Sequence, residues 1–186
     1  GKQVHANMLI SYERQLLYSE NDQIQIVAIP YLRNKYGMII VLPKDKTTKG
    51  FKILSSLKFE KLNDLIKSMK YHHINLKMPK FQIESNLQLN NVFESFGMKK
   101  AFTDDAECTD SKIKYFISLI IQKAKIMVDE KGTIASAATA VMMAEGACEM
   151  TEEPIDVFVD HSFAYILRNK KTKSFIFEGF VKNPSS

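Results

Sequence analysis

The chain has 186 residues, of which 45% are hydrophobic and 25% are charged, and it contains only seven glycines and five prolines. This composition is typical of one folded domain with a sizeable core, and it excludes intrinsic disorder and fibrous repeats. The formal net charge of +5 arises from lysines scattered along the chain, which does not indicate a nucleic-acid partner. The sequence has no apolar run of the roughly 18 residues that a membrane span needs.

Strand signals dominate the first part of the chain. The segments that alternate or run apolar are 3–10, 14–20, 22–31 and 36–43. Turn-forming residues separate them at Asn21-Asp22 and at Arg33-Asn34-Lys35. The pattern predicts a meander of antiparallel strands in which 3–10 and 14–20 are two separate short strands.

Beyond Pro43 the apolar residues recur at helical spacing. Segment 58–70 predicts a helix with one apolar face, formed by Phe59, Leu62, Ile66 and Met69, and a polar face, formed by Lys58, Lys61, Asp64 and Lys67. Segment 89–97 predicts a shorter helix that ends at Gly97, with an apolar face formed by Leu89, Val92, Phe93 and Phe96. Segment 73–84 alternates again and is interrupted by Pro79, so we expect a strand between the two helices.

The second half of the chain returns to strand patterns. Segment 113–130 is rich in β-branched residues and predicts a long central strand, with a buried helix as the alternative. Segments 155–160, 163–169 and 173–183 are further strand candidates, and the sequence NKKTK predicts a hairpin turn between the last two. No repeat or linker divides the chain. The fold class is α+β, with antiparallel sheets dominating.

Catalytic and metal-binding constellations are weak in this sequence. His72 and His73 are adjacent on a predicted strand and point to opposite faces, so we interpret them as surface residues at a strand entrance rather than shared metal ligands. Cys148 followed by Glu149 resembles a nucleophile only if a histidine approaches in space. The segment TTKGFK, 47–52, has one glycine and does not lie between a strand and a strong helix, which argues against a phosphate loop. We therefore predict no catalytic residue, metal or cofactor.

The stretch DEKGTIASAATAVMMAEG, 129–146, carries an unusual row of small side chains. Thr133, Ala135, Ala137 and Thr139 alternate along it, and such a row can enter between two strands with little steric resistance. Gly132 supplies a backbone pivot before the row. The alternative is an alanine-rich helix over 136–145.

Segment 129–141 resembles the proximal hinge of the reactive-centre loop of serpins, the serine protease inhibitor family. Three further segments resemble serpin sequence in the right order: INLKMPKFQIESNLQLNNVFESFGMKKAFTDDAE at 74–107, SLIIQKAKIMVDEKG at 118–132 and DHSFAYILRNKKTKSFIFEGFVKNP at 160–184. Together they cover nearly the whole chain. The resemblance identifies residues 1–186 as the C-terminal portion of a single serpin domain.

The resemblance implies a partial serpin fold, with mainly antiparallel sheets, a few helices and an exposed reactive-centre loop at about 130–155. The N-terminal half of a serpin domain has no counterpart in the sequence. A strand inserted against one sheet edge gains one hydrogen-bond ladder and leaves the other unpaired, so we expect that this chain alone cannot complete inhibition. A fragment of a longer protein and a truncated product are both compatible with this expectation.

The resemblance also implies a protease inhibitor, not an enzyme, that acts as a suicide substrate. The protease cleaves the loop, and the loop then inserts into a metastable sheet as a new strand. The implied hinge residues are Glu130, Gly132, Thr133, Ala135, Ala137 and Thr139. Serpins often have Glu at the position of Ile134 and His at the position of Gln122, and we treat both departures as mild.

The implied scissile bond depends on how the loop is counted. Counting from Glu130 places it after Gly146, whereas counting back from the DHSF segment places it near Thr151. The candidates are Glu145, Gly146, Ala147, Cys148, Glu149 and Met150. There is no Lys or Arg from Gly132 to Leu167, so the expected target is a non-trypsin-like serine protease or a cysteine protease.

The family resemblance leaves other functional alternatives open. A non-inhibitory serpin or a serpin-derived interaction protein that self-associates through an exposed sheet edge would carry the same fold. Glycosaminoglycan binding by Lys58, Lys61 and Lys67 is possible, but a solvated helix face is the favoured interpretation. We expect no nucleic-acid or membrane partner. The resemblance favours an extracellular protein, with a cytoplasmic one as the alternative.

Overall fold

The computed structural model describes residues 5–31, 35–106, 115–129 and 153–184. In these ranges the strands are β1 Met8–Glu20, β2 Ile24–Pro30, β3 Tyr36–Pro43, β4 Lys70–Pro79, β5 Phe81–Gln88, β6 Ile121–Val128, β7 Ile155–Phe158, β8 Phe163–Asn169 and β9 Phe175–Val181. The helices are α1 Thr48–Ser55, α2 Phe59–Ser68, α3 Asn90–Ser95 and a short 3-10 helix, Lys100–Phe102. The chain divides into two compact units, residues 82–127 and the remainder.

The larger unit is built on a seven-stranded sheet in the order β7-β4-β1-β2-β3-β8-β9. All neighbours in it are antiparallel except β4 and β7, which are parallel. The consecutive order β1-β2-β3 confirms the predicted meander. The smaller unit contains most of the two-stranded sheet of β5 and β6.

Two of the predicted turns lie within the described residues and have side-chain support. The Asn21 carboxamide oxygen accepts hydrogen bonds from the backbone N–H groups of Gln23 and Ile24, each at 2.9 Å. At the NKKTK hairpin, the Asn169 carboxamide oxygen accepts from the backbone of Lys171 at 2.9 Å. Asparagine is favoured in turns because its side chain can take the place of a backbone acceptor in this way. Most of the turn predicted near Asn34 lies outside the described residues.

The prediction of two short strands before residue 20 is wrong, because β1 is one strand of 13 residues. Ser11 pairs with Leu76 and Arg14 with Ile74, so two β1 residues lie opposite the single residue Asn75. This is a β-bulge, which lets a strand continue across an extra residue while changing its twist. The break in the apolar alternation reflects the bulge and not the end of a strand.

The core of the larger unit lies between the central strands and the two helices α1 and α2. Its buried members come from the strands β2, β3 and β8 and from both helices. They are Ile24, Ile26, Ile39, Val41, Leu54, Leu62 and Ile166. Fully burying one such side chain contributes about 1.5–3 kcal/mol relative to leaving it exposed. The other face of these strands is also buried, and Phe81 packs there against Phe163 and Tyr165, with ring centroids 5.5 and 5.4 Å apart.

Helix α2 confirms the predicted helix, with one correction. Leu62 is buried and Ile66 and Met69 pack on the core, while Lys61 on the opposite face is exposed. Phe59 was expected on the buried face but is 59% exposed. It lies at the first position of the helix, and its ring packs against that of Phe175, with centroids 5.5 Å apart.

Helix α1 is not among the predicted helices, and it begins within the segment 47–52. Its N-terminus is capped by the Thr47 hydroxyl, which accepts from the Lys49 N–H at 3.2 Å, and Thr47 is itself held by Asp45. The helix is short and contains Gly50, so its intrinsic propensity is low. Burial of Leu54 in the core stabilises it instead.

The segment 73–84 is not one strand, since the chain leaves the large sheet at Pro79 and begins β5 at Phe81. Within 113–130 the strand is confirmed but spans Ile121–Val128, and the helical alternative is wrong. The expectation of a central position is also wrong for the part of the chain that the structure describes, because β6 pairs there only with β5.

Helix α3 confirms the predicted short helix and its end at a glycine. Gly97 has a φ of 96°, in the left-handed region, and Met98 N–H donates to the Phe93 carbonyl at 3.0 Å across the helix end. Its apolar face, however, is not buried, since Phe96 is 82% exposed. The spacing of the apolar residues predicts the helix, but it does not show whether a second surface covers that face.

We predict that Gly50→Ala destabilises the protein. A Cβ at this position would lie 1.9 Å from the Asp45 carbonyl oxygen, a backbone atom, so the α1 turn must shift. The cost of overpacking, about 1–3 kcal/mol, exceeds the about 1 kcal/mol that alanine gains over glycine in a helix. Urea unfolding monitored by circular dichroism measures the change, with exposed Lys49→Ala as the control. A Gly50→Ala variant as stable as the control would contradict the steric argument.

Candidate functional site at the ends of residues 130–152

All of the predicted hinge and scissile residues lie outside the described residues. They are Glu130, Gly132, Thr133, Ala135, Ala137, Thr139, Glu145, Gly146, Ala147, Cys148, Glu149 and Met150. The structure does describe the two strands that this segment connects. Strand β6 leads into it and ends at Val128, and β7 follows it and begins at Ile155.

The entrance to β6 is positioned by Asn90 at the start of α3. Its carboxamide oxygen accepts from the Ile120 N–H at 2.9 Å, and its amide nitrogen donates to the Ser118 carbonyl at 3.0 Å. The neighbouring Leu89 N–H donates to the Ile120 carbonyl at 2.9 Å. These bonds replace a strand ladder for the residues just before β6 and fix where the strand begins.

The pair of strands β5 and β6 carries charged groups on one side and uncovered apolar groups elsewhere. Lys125 Nζ lies 2.6 Å from Glu84 Oε1, and this hydrogen bond lowers the pKa of the Glu84 carboxyl. Ile121 and Met127 of β6 are exposed, as is Gln122. Among the described residues, therefore, β6 has one paired edge and largely uncovered faces.

Strand β7 is short, and side-chain bonds reinforce its attachment to β4. It spans four residues, Ile155–Phe158, and runs parallel to β4 with Val157 opposite Leu76. The Asn75 amide nitrogen donates to Asp156 Oδ1 at 2.9 Å, while the Asn75 oxygen accepts from the Glu13 N–H at 3.0 Å. Asn75 thus joins β7 to the bulge in β1.

The connection from β7 to β8 is held to the end of β3. His161 Nδ1 lies 2.7 Å from Asp160 Oδ1, and its Nε2 lies 2.7 Å from the Pro43 carbonyl oxygen. Lys46 Nζ donates to Asp160 Oδ2 at 2.5 Å. The chain after the 130–152 segment is therefore anchored at two places, β4 and the β3–α1 connection.

Comparison with known proteins gives the family. The sequence model of the serpins, described as serine protease inhibitors, matches residues 1–184. The chain belongs to the serpin family. The partial serpin fold with mainly antiparallel sheets and few helices is thereby confirmed, while the exposed loop lies outside the described residues.

Three serpins illustrate the similarity. An uncharacterized serpin-like protein of Thermococcus kodakarensis is 32% identical over 90% of this chain and 39% of its own length. The leukocyte elastase inhibitor of Sus scrofa is 31% identical over 90% of this chain and 45% of its own length. The native-state crystal structure of tengpin, a thermophilic serpin, matches 96% of this chain and 46% of that chain, with a TM-score of 0.72 and 30% identity. The chain spans less than half the length of each.

His72 and His73 of this serpin are more buried than the sequence predicts. His72 and His73 are half-buried within β4, not surface residues at its entrance, and the His72 ring packs edge-on to Tyr18 with centroids 5.9 Å apart. Among the described residues, no three His, Cys, Asp or Glu side chains form a cluster suited to a metal ion. In the same ranges, no helix combines the length and apolar character that crossing a bilayer requires.

Asn75, Asn90 and His161 were not singled out in the sequence. A polar residue between the buried residues Ile74 and Leu76 is ordinary strand alternation, so nothing in the sequence marks Asn75 as a bridge. Apart from Asp160, which is adjacent to His161, their partners are 28 to 118 positions away, and only the folded chain brings them together. No spacing rule connects positions so distant.

We predict that Asn75→Ala weakens the attachment of β7 and lowers the free energy of unfolding by about 2 kcal/mol, because it removes two hydrogen bonds, one to an acidic side chain. Asn75→Asp is the matched variant, since it keeps an acceptor for Glu13 but places a second carboxylate beside Asp156. Its loss should shrink as salt is added, because salt screens the repulsion between two exposed carboxylates, whereas the alanine loss should change little. Urea unfolding at low and high salt measures this, and identical salt dependence of the two variants would argue against the bridge.

Proposed function

We propose that the whole protein inhibits a protease as a suicide substrate, with residues 130–152 as its bait. The observation that carries the proposal is the row Thr133, Ala135, Ala137 and Thr139 immediately after β6. In the described residues β6 has an unpaired edge, and the next strand after the row, β7, belongs to a different sheet. A segment that joins two sheets and carries strand-compatible small residues next to an open edge is suited to insertion.

The anchoring of β7 supports this proposal, because residues 130–152 are held at both ends until cleavage frees the part attached to β6. Before cleavage the segment is held at β6 on one side and, through Asn75 and His161, at β7 on the other. After cleavage the part attached to β6 can fold back and extend the sheet, while the part attached to β7 stays. Completing a hydrogen-bond ladder then drives the change, with no new ligand needed.

The proposed chemistry begins as ordinary proteolysis. The serine oxygen or cysteine sulfur of the protease attacks the carbonyl carbon of the scissile peptide, and the C–N bond breaks. The amine leaves with a proton, and the carbonyl carbon stays on the protease as an ester or thioester. Insertion of the small-residue row before water attacks that bond would trap the protease on the inhibitor.

The absence of cationic side chains around the candidate scissile bonds supports a target protease that is not trypsin-like. No Lys or Arg occurs from Gly132 to Leu167, so a primary pocket that contains a carboxylate finds no cation to bind. Two of the relatives, from Xenopus laevis and Sus scrofa, are named as leukocyte elastase inhibitors, a name that agrees with a small or apolar residue before the cleaved bond. An extracellular location stays a prediction of the family resemblance, as does glycosaminoglycan binding by the exposed lysines of α2.

A second candidate function is binding without inhibition, either of another protein or of a second copy. It is favoured by the uncovered apolar residues of the smaller unit, including Tyr115, Phe116, Ile121 and Phe96. Large exposed apolar patches often mark interaction sites. Thermal unfolding of the whole protein distinguishes the two, since cleavage in 130–152 should raise the melting temperature of an inhibitor and leave that of a simple binding protein unchanged.

We predict cleavage and stable complex formation with proteases of elastase, chymotrypsin, glutamate-specific or cathepsin-like specificity. The whole protein is mixed with this panel and with trypsin, complexes are detected on denaturing gels, and fragments are identified by mass spectrometry. Cleavage is expected within the six candidates 145–150. A complex formed by trypsin alone would overturn the assignment of target class.

We predict that Thr133→Arg abolishes stable complexes while cleavage continues, because the inserting strand would have to bury an unpaired charge. The matched control is Ile134→Arg, one position later, whose side chain points to the other face of the strand. The control should still form complexes with the protease found in the panel. If Thr133→Arg forms complexes as the unmodified protein does, the insertion mechanism is refuted.

A further inference from the structure

His161 occupies an unusual environment at the start of the β7–β8 connection. Its side chain is 11% exposed. Each ring nitrogen lies 2.7 Å from an oxygen that can only accept a hydrogen bond, Asp160 Oδ1 for Nδ1 and the Pro43 carbonyl for Nε2. The imidazole therefore joins the β7–β8 connection to the end of β3, with an acceptor oxygen at each ring nitrogen.

This geometry suits the protonated ring. A neutral imidazole carries one N–H and one lone pair, so it can donate to Asp160 or to Pro43 but not to both. Whichever nitrogen lacks the proton then directs a lone pair at an acceptor oxygen. The imidazolium donates at both nitrogens, and its bond to the carboxylate is charge-assisted and stronger than a neutral one.

The charged groups around the ring are mixed in sign. Asp160 is shared with Lys46 at 2.5 Å, and Asp45 of the β3–α1 connection interacts electrostatically with both His161 and Lys49. Burial alone would raise the pKa of the Asp160 carboxyl, but the hydrogen bonds from Lys46 and His161 outweigh it and the pKa is lowered. The pKa of the Asp45 carboxyl is also lowered, chiefly by the hydrogen bond from the Thr47 hydroxyl.

The lowered pKa values keep the carboxyl groups of Asp45 and Asp160 ionised in mildly acidic to mildly alkaline solution. A carboxyl with a lowered pKa stays ionised above its ordinary range and contributes stability that is lost only at more acidic pH. Asp160 therefore remains an acceptor for the His161 ring, and Pro43 offers only a carbonyl oxygen, so the number of hydrogen bonds that the ring donates depends on how many protons it carries.

We propose that His161 is a proton-operated fastener, which holds the β7–β8 connection to the end of β3 when protonated and loosens it when the proton leaves. Strand β7 is only four residues long, and Val159 N–H donates to the Lys77 carbonyl at 2.7 Å just before the fastener. Loss of one bond at His161 therefore loosens the attachment of the strand that follows residues 130–152. The proposal concerns the anchoring of β7 and holds whether or not the protein inhibits a protease.

Amide hydrogen exchange on the whole protein tests the fastener. Protection factors at Val157 and Val159, corrected for the intrinsic pH dependence of exchange, should fall about tenfold from pH 5.5 to pH 8, while Ile40 in the centre of the sheet should not change. His161→Gln, which cannot carry charge, should show the low value at both pH values. His161→Lys, which keeps a cation, should show less pH dependence than the unmodified protein.

His72→Gln is the matched control, because it removes a half-buried histidine of the same sheet and should leave the pH response intact. If the unmodified protein has equal protection at the two pH values, or if His161→Gln keeps the response, the proposal is overturned. Nitrogen-15 chemical shifts of the His161 ring provide a readout that needs no variant. Both nitrogens should carry protons at pH 5.5, and a neutral ring there would equally overturn it.

Discussion

Burial of the central strands on both faces is the constraint on which the rest of this serpin segment depends. In β3 every residue after Tyr36 is buried, and its neighbours β2 and β8 contain no exposed residue. One face packs against α1 and α2, and the opposite face packs around Phe163 and Tyr165. Such strands gain hydrophobic stabilisation on both faces and therefore form the stable centre of the sheet. The less buried outer strands also depend on polar side-chain hydrogen bonds.

The outer strand β7 illustrates this dependence. Strand β7 is short and half exposed, and its attachment relies on polar side chains: Asn75 toward β4, and Asp160 and His161 toward the end of β3. Directional bonds of this kind break one at a time, whereas a packed core opens cooperatively. The part of the protein next to residues 130–152 is thus held by interactions that single substitutions can remove.

The same polar contacts explain an irregularity elsewhere in the sheet. The bulge in β1 displaces the Glu13 N–H, and Asn75 accepts from it at 3.0 Å. The carboxamide that closes the bulge also donates to Asp156, so one side chain on β4 serves strands on both sides. A backbone irregularity at the middle of the sheet and the anchoring of its edge strand are therefore coupled through Asn75.

The sequence by itself determined the family, the meander, the turns at Asn21 and Asn169, and the existence of α2 and α3, because each rests on local spacing or on an ordered set of motifs. It did not reveal the continuity of β1, since a bulge interrupts the alternation on which strand prediction depends. It also missed α1, whose glycine lowers helix propensity while burial of Leu54 stabilises it. Only the tertiary structure decided that the apolar face of α3 is exposed, that β6 pairs with β5 alone among the described strands, and that His161 meets Pro43. Each of these depends on what lies opposite a surface in space, and that partner is distant in the chain.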